Sequence, residues 1–238
     1  HTAETPSVRI ATKQNMDGAK EFAGTQTDAV TIDGVKYFSN KAIVKDLKEN
    51  TKYYYQVFQN GKWQDAESYT TKSFNSFSFL YVGDPQIGAS KNQTSTEQEK
   101  MVSAGNEVSS SAADNLAARN DGYNWNNILN DAIKDHGDVS FIVSAGDQVN
   151  AGKNEREYAA YLGADALASL PVATTIGNHD SVSNQYTLHF NNPNAFSDTD
   201  ANYIQGKTDA GTDYYYRYGN TLFMVLDTNN YNCATHEN

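Results

Sequence analysis

Three short segments, each following a run of apolar residues, constrain this chain more than anything else in it. They are Gly83-Asp84-Pro85-Gln86, Gly146-Asp147-Gln148-Val149-Asn150 and Gly177-Asn178-His179-Asp180. The runs before them are 77–82, 139–143 and 172–176, each short and apolar, as buried parallel strands are. Ligands collect at the carboxyl ends of such strands. Carboxylates, an amide and an imidazole arriving together on loops at one sheet edge point to a metal site.

Bulk properties narrow the alternatives. The 238 residues suit one large domain or two small ones, and 16 Tyr and 10 Phe supply material for a core. No apolar run approaches the roughly 20 residues needed to span a bilayer, so no membrane span is expected. The start, His1-Thr2-Ala3-Glu4-Thr5-Pro6, is polar, carries no signal-peptide pattern and reads as a mature or engineered start. A net charge of −11 repels phosphate backbones, so nucleic acid is not an expected partner. A phosphorylated small molecule stays compatible, because bound divalent cations reverse the local field. The single cysteine, Cys233, excludes a disulfide framework and any cysteine-based zinc cluster and reads as a semi-buried thiol.

The first 74 residues read as an all-β sandwich. Alternating runs such as 8–11 and 53–58 are separated by turn signals at Asp17-Gly18, Asp33-Gly34 and Asn60-Gly61. Asn60-Gly61 predicts a hairpin, since both residues tolerate positive φ. Leu47, followed six residues later by Tyr53, resembles the tyrosine corner of fibronectin type III-like sandwiches. From residue 75 to 238, strands and helices alternate. Trp125, Ile128, Leu129, Ala132, Ile133 and His136 recur at helical spacing and predict an amphipathic helix. A second helix is expected from Glu155 to Leu170, stopped by Pro171. Residues 214–218 and 222–226, around Gly219-Asn220, predict a hairpin. The polar stretch 90–120 includes a candidate helix at 98–108, and 198–202 reads as an acidic loop.

Hard and borderline divalent cations take carboxylate, amide-carbonyl and imidazole ligands. Asp84 and Asp147 each follow a glycine, where a missing side chain would leave room for metal and substrate. Asp147, between two strand ends, can bridge two cations, and Asn178 offers an amide oxygen. His179 would then reach substrate, with Asp180 orienting or charge-stabilising its imidazole.

The order Gly-Asp, Gly-Asp-x-x-Asn, Gly-Asn-His-Asp resembles the calcineurin-like metallophosphoesterases. With the β-rich segment in front, the chain is similar to their purple acid phosphatase branch. The resemblance implies an all-β fibronectin-like sandwich followed by an α/β metallophosphoesterase sandwich. It implies hydrolysis of phosphate esters, monoesters first, with two divalent ions (Zn, Mn or Fe) activating the attacking water. By position, Asp84 resembles a ligand of the first metal, Asp147 the bridging carboxylate and Asn178 the amide ligand of the second. His179 resembles the imidazole that stabilises phosphoryl oxygens or protonates the leaving group. It also implies export, to the extracellular space or cell surface.

Three departures accompany the resemblance. Gln86 stands where many members place a histidine, and a glutamine there either ligates weakly or hydrogen-bonds a water on the metal. Asn150 stands where purple acid phosphatases carry the tyrosinate that binds ferric iron. The family completes its site with later histidines, in a hydrophobic-x-x-His and a Gly-His-x-His segment; no Gly-His-x-His occurs here, and five histidines in all are too few for the full set. The chain is therefore expected to be the first part of a catalytic domain whose C-terminal half is missing, binding metal poorly by itself. His189 is expected to be a hydrogen-bonded spacer. The rival readings are a phosphodiesterase, pyrophosphatase or nucleotidase on the same core, and a non-catalytic binding module with a vestigial site.

Overall fold

The computed structural model describes residues 6–32, 35–92, 113–196 and 211–229. The Asp33-Gly34 turn, the candidate helix at 98–108, the acidic loop at 198–202 and Cys233 lie outside the described residues. The chain divides into two compact units. One comprises His1–Phe77 with Ala168–Leu170, the other Ser78–Leu167 with Pro171–Asn238.

The first unit is strand-rich. Its strands are β1 (Ser7–Ala11), β2 (Lys20–Ala23), β3 (Thr25–Ile32), β4 (Val35–Lys41), β5 (Lys52–Gln59), β6 (Lys62–Trp63) and β7 (Glu67–Thr70). An antiparallel sheet runs β2-β1-β5, and the far edge of β5 is shared by β6 and β7; β3 and β4 form a separate two-stranded ribbon. The register pairs Val8 with Val57 and Ile10 with Tyr55. Alternation along β1 and β5 sends Ile10 and Tyr53 inward, where both are buried. The expected hairpin forms between β5 and β6, with Asn60 at φ 56° and Gly61 at φ 72°. Tyr53 fulfils the corner expectation: its hydroxyl accepts a bond from the Lys48 N–H at 2.9 Å.

The second unit centres on a parallel sheet ordered β10-β9-β8, from β8 (Phe79–Val82), β9 (Phe141–Ser144) and β10 (Val172–Ala173). The pairs Leu80–Ile142 and Val172–Ile142 fix its register. Only β9 meets the expectation of a buried strand. β8 lies at the sheet edge and leaves Tyr81 70% exposed. The third run contributes two paired residues, because Thr174 to Ile176 already belong to the loop.

Helix α1 (Ala113–Asp135) starts before the expected Trp125; its packed face there carries Ala117, Ala118 and Gly122, residues too small to mark a strong period. Trp125 and Leu129 are buried, Trp125 stacking on Tyr161 at 5.4 Å. Ile128 and His136 do not join that stripe: Ile128 is exposed within the helix, and His136, also exposed, lies just past its end. Gly122 lets the helix approach Ala160, where a Cβ would come within 2.9 Å of the Ala160 methyl.

Helix α2 (Glu155–Leu162) is shorter than expected. Asn154 caps its start, accepting the Arg156 N–H, and Gly163 ends it, eight residues before Pro171. A single 3-10 turn, Asp165–Ala168, follows. Helix α3 (Gln185–His189) carries Tyr186 into the core, where its hydroxyl meets Thr174.

The hairpin β11 (Tyr214–Tyr218) and β12 (Thr221–Val225) forms as expected, turning at Gly219 with φ 54°. One face supplies Tyr214, Tyr216, Phe223 and Val225. Phe223 packs against Phe79 and Phe141 with ring centroids 5.7 and 5.5 Å apart. The other face exposes Tyr215, Leu222 and Met224. Among the described residues no helix is long and apolar enough to cross a membrane.

The Tyr53 hydroxyl stabilises the turn ahead of β5, so Tyr53→Phe should destabilise the first unit by about 1 kcal/mol. Urea unfolding followed by a probe in that unit measures this.

Candidate functional site

The loops after β8 and β9 stay hydrogen-bonded to each other beyond the ends of their strands. The Asp84 N–H donates to the Gly146 carbonyl at 3.0 Å, Gln86 N–H to Asp147 at 2.9 Å and Ile87 N–H to Gln148 at 3.2 Å. The Asn150 N–H returns a bond to Ile87 at 3.0 Å, making a second parallel bridge between Ile87 and Val149. Asp84 and Asp147 therefore ride on adjoining loops at one edge of the sheet.

Both loops are held in left-handed conformations. Asp84 has φ 58°, Gln86 φ 37° and Asp147 φ 52°. Such values are uncommon outside glycine, cost about 1–3 kcal/mol each and persist only where the surroundings enforce them. Strain of this kind gathers at functional sites.

The glycines before the motif residues serve a different purpose from the one expected. A Cβ on Gly83 would lie 2.7 Å from the Ala145 methyl, and one on Gly146 would lie 3.0 Å from the Gly177 Cα. A Cβ on Gly177 would collide with the Asp147 carboxylate and backbone. The space a side chain would fill is taken by the neighbouring loop.

Asp147, Gln86 and His179 come together. One Asp147 oxygen, Oδ1, accepts the His179 backbone N–H at 2.9 Å, and the Gln86 Nε2 stands 3.5 Å from Oδ2. The His179 ring is fixed by Nδ1, 2.7 Å from the Asn150 carbonyl oxygen. Asp84 and Asn178 are exposed, and the Asn178 carbonyl accepts the Ser181 hydroxyl at 3.0 Å. Among the described residues no group of three His, Cys, Asp or Glu side chains converges as a metal site.

Asp180 does not reach the His179 ring. Its carboxylate is fully buried and accepts the backbone N–H groups of Gln148 and Val149, both at 3.3 Å, and of Gly177 at 2.9 Å. Burial pushes its carboxyl up to about 6 from the ordinary 3.8; the three amides pull it down and the nearby Asp147 charge adds to the rise. His189 is the hydrogen-bonded spacer expected of it, 2.8 Å from Glu155 and stacked on Tyr158 at 4.4 Å.

Asn229 was not among the residues singled out. Its Nδ2 donates to the Ile176 carbonyl at 3.2 Å and to the Gly177 carbonyl at 3.4 Å, and also to Asp227 at 2.8 Å. The available signal was its place just past the apolar run 222–226, at a strand end like the three recognised motifs.

Comparison with known proteins follows the same division. The calcineurin-like phosphoesterase family matches residues 77–237, and the chain belongs to that family. The N-terminal domain of purple acid phosphatases matches residues 1–71. A solved structure, the purple acid phosphatase PPD1 from yellow lupin (Lupinus luteus) seeds, shares the fold with a TM-score of 0.55 at 14% sequence identity. That alignment covers 92% of this chain and 39% of the lupin chain, so this chain spans well under half of that relative. No curated protein sequence is detectably similar.

Gly177→Ala forces a methyl into the Asp147 carboxylate and should destabilise the second unit by about 3 kcal/mol, read by urea unfolding. Asp180 sets a pH dependence. Its pKa is higher folded than unfolded, so its stabilising contribution is complete below pH 3.8 and lost as pH rises through about 6. The stability of the metal-free wild type relative to Asp180→Asn should therefore be greater at pH 4 than at pH 7. Equal differences at both pH values would refute this.

Proposed function

We propose that residues 75–238 carry the first part of a dinuclear-metal phosphoesterase site that hydrolyses small phosphorylated molecules, phosphomonoesters first. The observation that carries this reading is the contact of Asp147 with both the Gln86 side chain and the His179 backbone, on loops that also bear Asp84 and Asn178. Two carboxylates and two amide oxygens are the donors that Mn²⁺, Zn²⁺ and Fe²⁺ accept. Asp84, Asp147 and Asn178 would hold the ions, and Gln86 would contribute its oxygen or bond to a coordinated water. These donors fit part of a coordination shell. Bound cations supply a lowered pKa for the attacking water and neutralise phosphoryl charge.

The remaining chemistry belongs to His179. A carbonyl only accepts hydrogen bonds, so the bond to Asn150 places a proton on Nδ1. Nε2 is left for the substrate. In the protonated ring it donates, to a phosphoryl oxygen or the leaving group; in the neutral ring it can only accept. Leaving-group protonation by His179 thus belongs to the imidazolium form.

The Tyr53–Lys48 bond supports a fibronectin-like sandwich for residues 1–74. A sandwich ahead of a phosphoesterase domain supports work outside the cytoplasm or at the cell surface. The absence of a three-residue His, Cys, Asp or Glu cluster among the described residues favours a second reading, a non-catalytic binding module.

The natural gene product decides between them when assayed with Mn²⁺ or Zn²⁺ against aryl phosphate monoesters and diesters. The proposal expects two bound ions, metal-dependent monoester turnover, loss of that turnover in Asp147→Asn, and a fall of about 10²–10⁴-fold in kcat for His179→Gln. No stoichiometric metal and no turnover would overturn the phosphoesterase proposal and leave the non-catalytic reading standing.

A further inference from the structure

We infer that Asp180 is a positioning residue that sets the register between the Asp147 loop and the Asn178–His179 loop through backbone amides, without touching the His179 imidazole. The inference rests on the phosphoesterase reading for its functional consequence, and on geometry alone for its structural content.

Asp180 lies on the third loop, yet two of its three bonds reach the second: it accepts the N–H groups of Gln148 and Val149, directly after Asp147. Its third bond, from Gly177 N–H, closes its own turn. Asp147 answers from the other side by accepting the His179 N–H. Each loop thus supplies one carboxylate to the amides of the other. Amides in irregular loops have no ladder partner, and a buried N–H without an acceptor is costly. Two oxygens shared among three donors fix both distance and orientation between the loops. Gly177 and Gly146 allow this closeness, since a Cβ on either would meet the opposite loop. An Asp147 oxygen misplaced by a fraction of an ångström is a poorer metal ligand, and partners behind a ligand commonly contribute 10–100-fold to metal affinity.

A residue acting on His179 directly and one acting through the loops give different results. In Asp180→Asn one acceptor oxygen becomes an NH₂ that faces backbone donors, so the staple weakens while volume is kept. The amide of His179 is bonded to Asp147 and makes no bond to Asp180, which makes it the reporter. Backbone amide hydrogen exchange of the 238-residue chain, metal-free, should show His179 losing protection at least 10-fold in Asp180→Asn. The Tyr53 amide in the first unit should stay unchanged. Mn²⁺ titration of the natural gene product, read by water-proton relaxation, should show about 10-fold weaker binding in Asp180→Asn, and weaker still in Asp180→Ala. Exchange at His179 within twofold of wild type in folded Asp180→Asn overturns the inference. If Asp180→Asn does not fold, Asp180→Glu keeps both oxygens on a longer arm; unchanged His179 protection in that variant overturns the inference equally. Lost protection together with no Mn²⁺ binding by the wild type sinks the metal reading and leaves the loop register standing.

Discussion

The second unit depends on buried and half-buried carboxylates that accept hydrogen bonds from backbone N–H groups of its loops. Asp180 serves Gln148, Val149 and Gly177. Asp121, from α1, accepts the N–H groups of Gly88 at 2.8 Å and Ser90 at 3.1 Å, just after the Gln86 turn. Glu157, from α2 and nearly fully buried, accepts the Ala151 N–H at 2.7 Å and the Asn154 side-chain amide at 2.9 Å. Strand-end loops cannot satisfy their own donors, and leaving them unpaired in a packed interior costs roughly 1–3 kcal/mol apiece. Acidic side chains supply that lack here. Part of the chain's negative charge is thus spent on architecture, and a surface role need not be sought for all of it.

Those loops also explain why the site is crowded before any ligand arrives. The motif glycines bring backbone against backbone, and the left-handed residues between them turn their side chains off the strand direction. Strain, close approach and amide capture are three aspects of one arrangement. The ring of His179 inherits that order through Asn150, so its Nε2 has a defined direction with no acidic partner among the described residues.

Much of this was legible from the residues. Motif order and apolar runs led to the parallel sheet, the family and the loops that meet; Asn60-Gly61 and Gly219 led to the hairpins; the Leu47-to-Tyr53 interval led to the corner bond. What escaped has physical causes. Periodicity says which face of a helix is apolar but does not say whether a neighbour covers it, so Ile128 was counted as core and is exposed. The stretch ahead of Trp125 packs through small residues, Ala117, Ala118 and Gly122, which leave little period to read. A glycine can stop a helix as well as a proline, and Gly163 acted before Pro171. Apolar composition does not distinguish a central strand from an edge strand, hence the exposure of Tyr81. Asp180 beside His179 suggested a side-chain pair, because adjacency in sequence is visible and the reach of a buried carboxylate to another loop is not. Asn229 belongs to none of the three motifs, and only its place just past the apolar run 222–226 marks it in the sequence.

The left-handed backbone at Asp84 and Asp147 has a practical corollary. Asparagine is, after glycine, among the residues best suited to that conformation, and it has nearly the size of aspartate. Exchanging either aspartate for asparagine therefore alters charge while leaving chain geometry at ease, whereas alanine would mix electrostatics with torsional penalty. The turns themselves dictate which isostere yields an interpretable experiment.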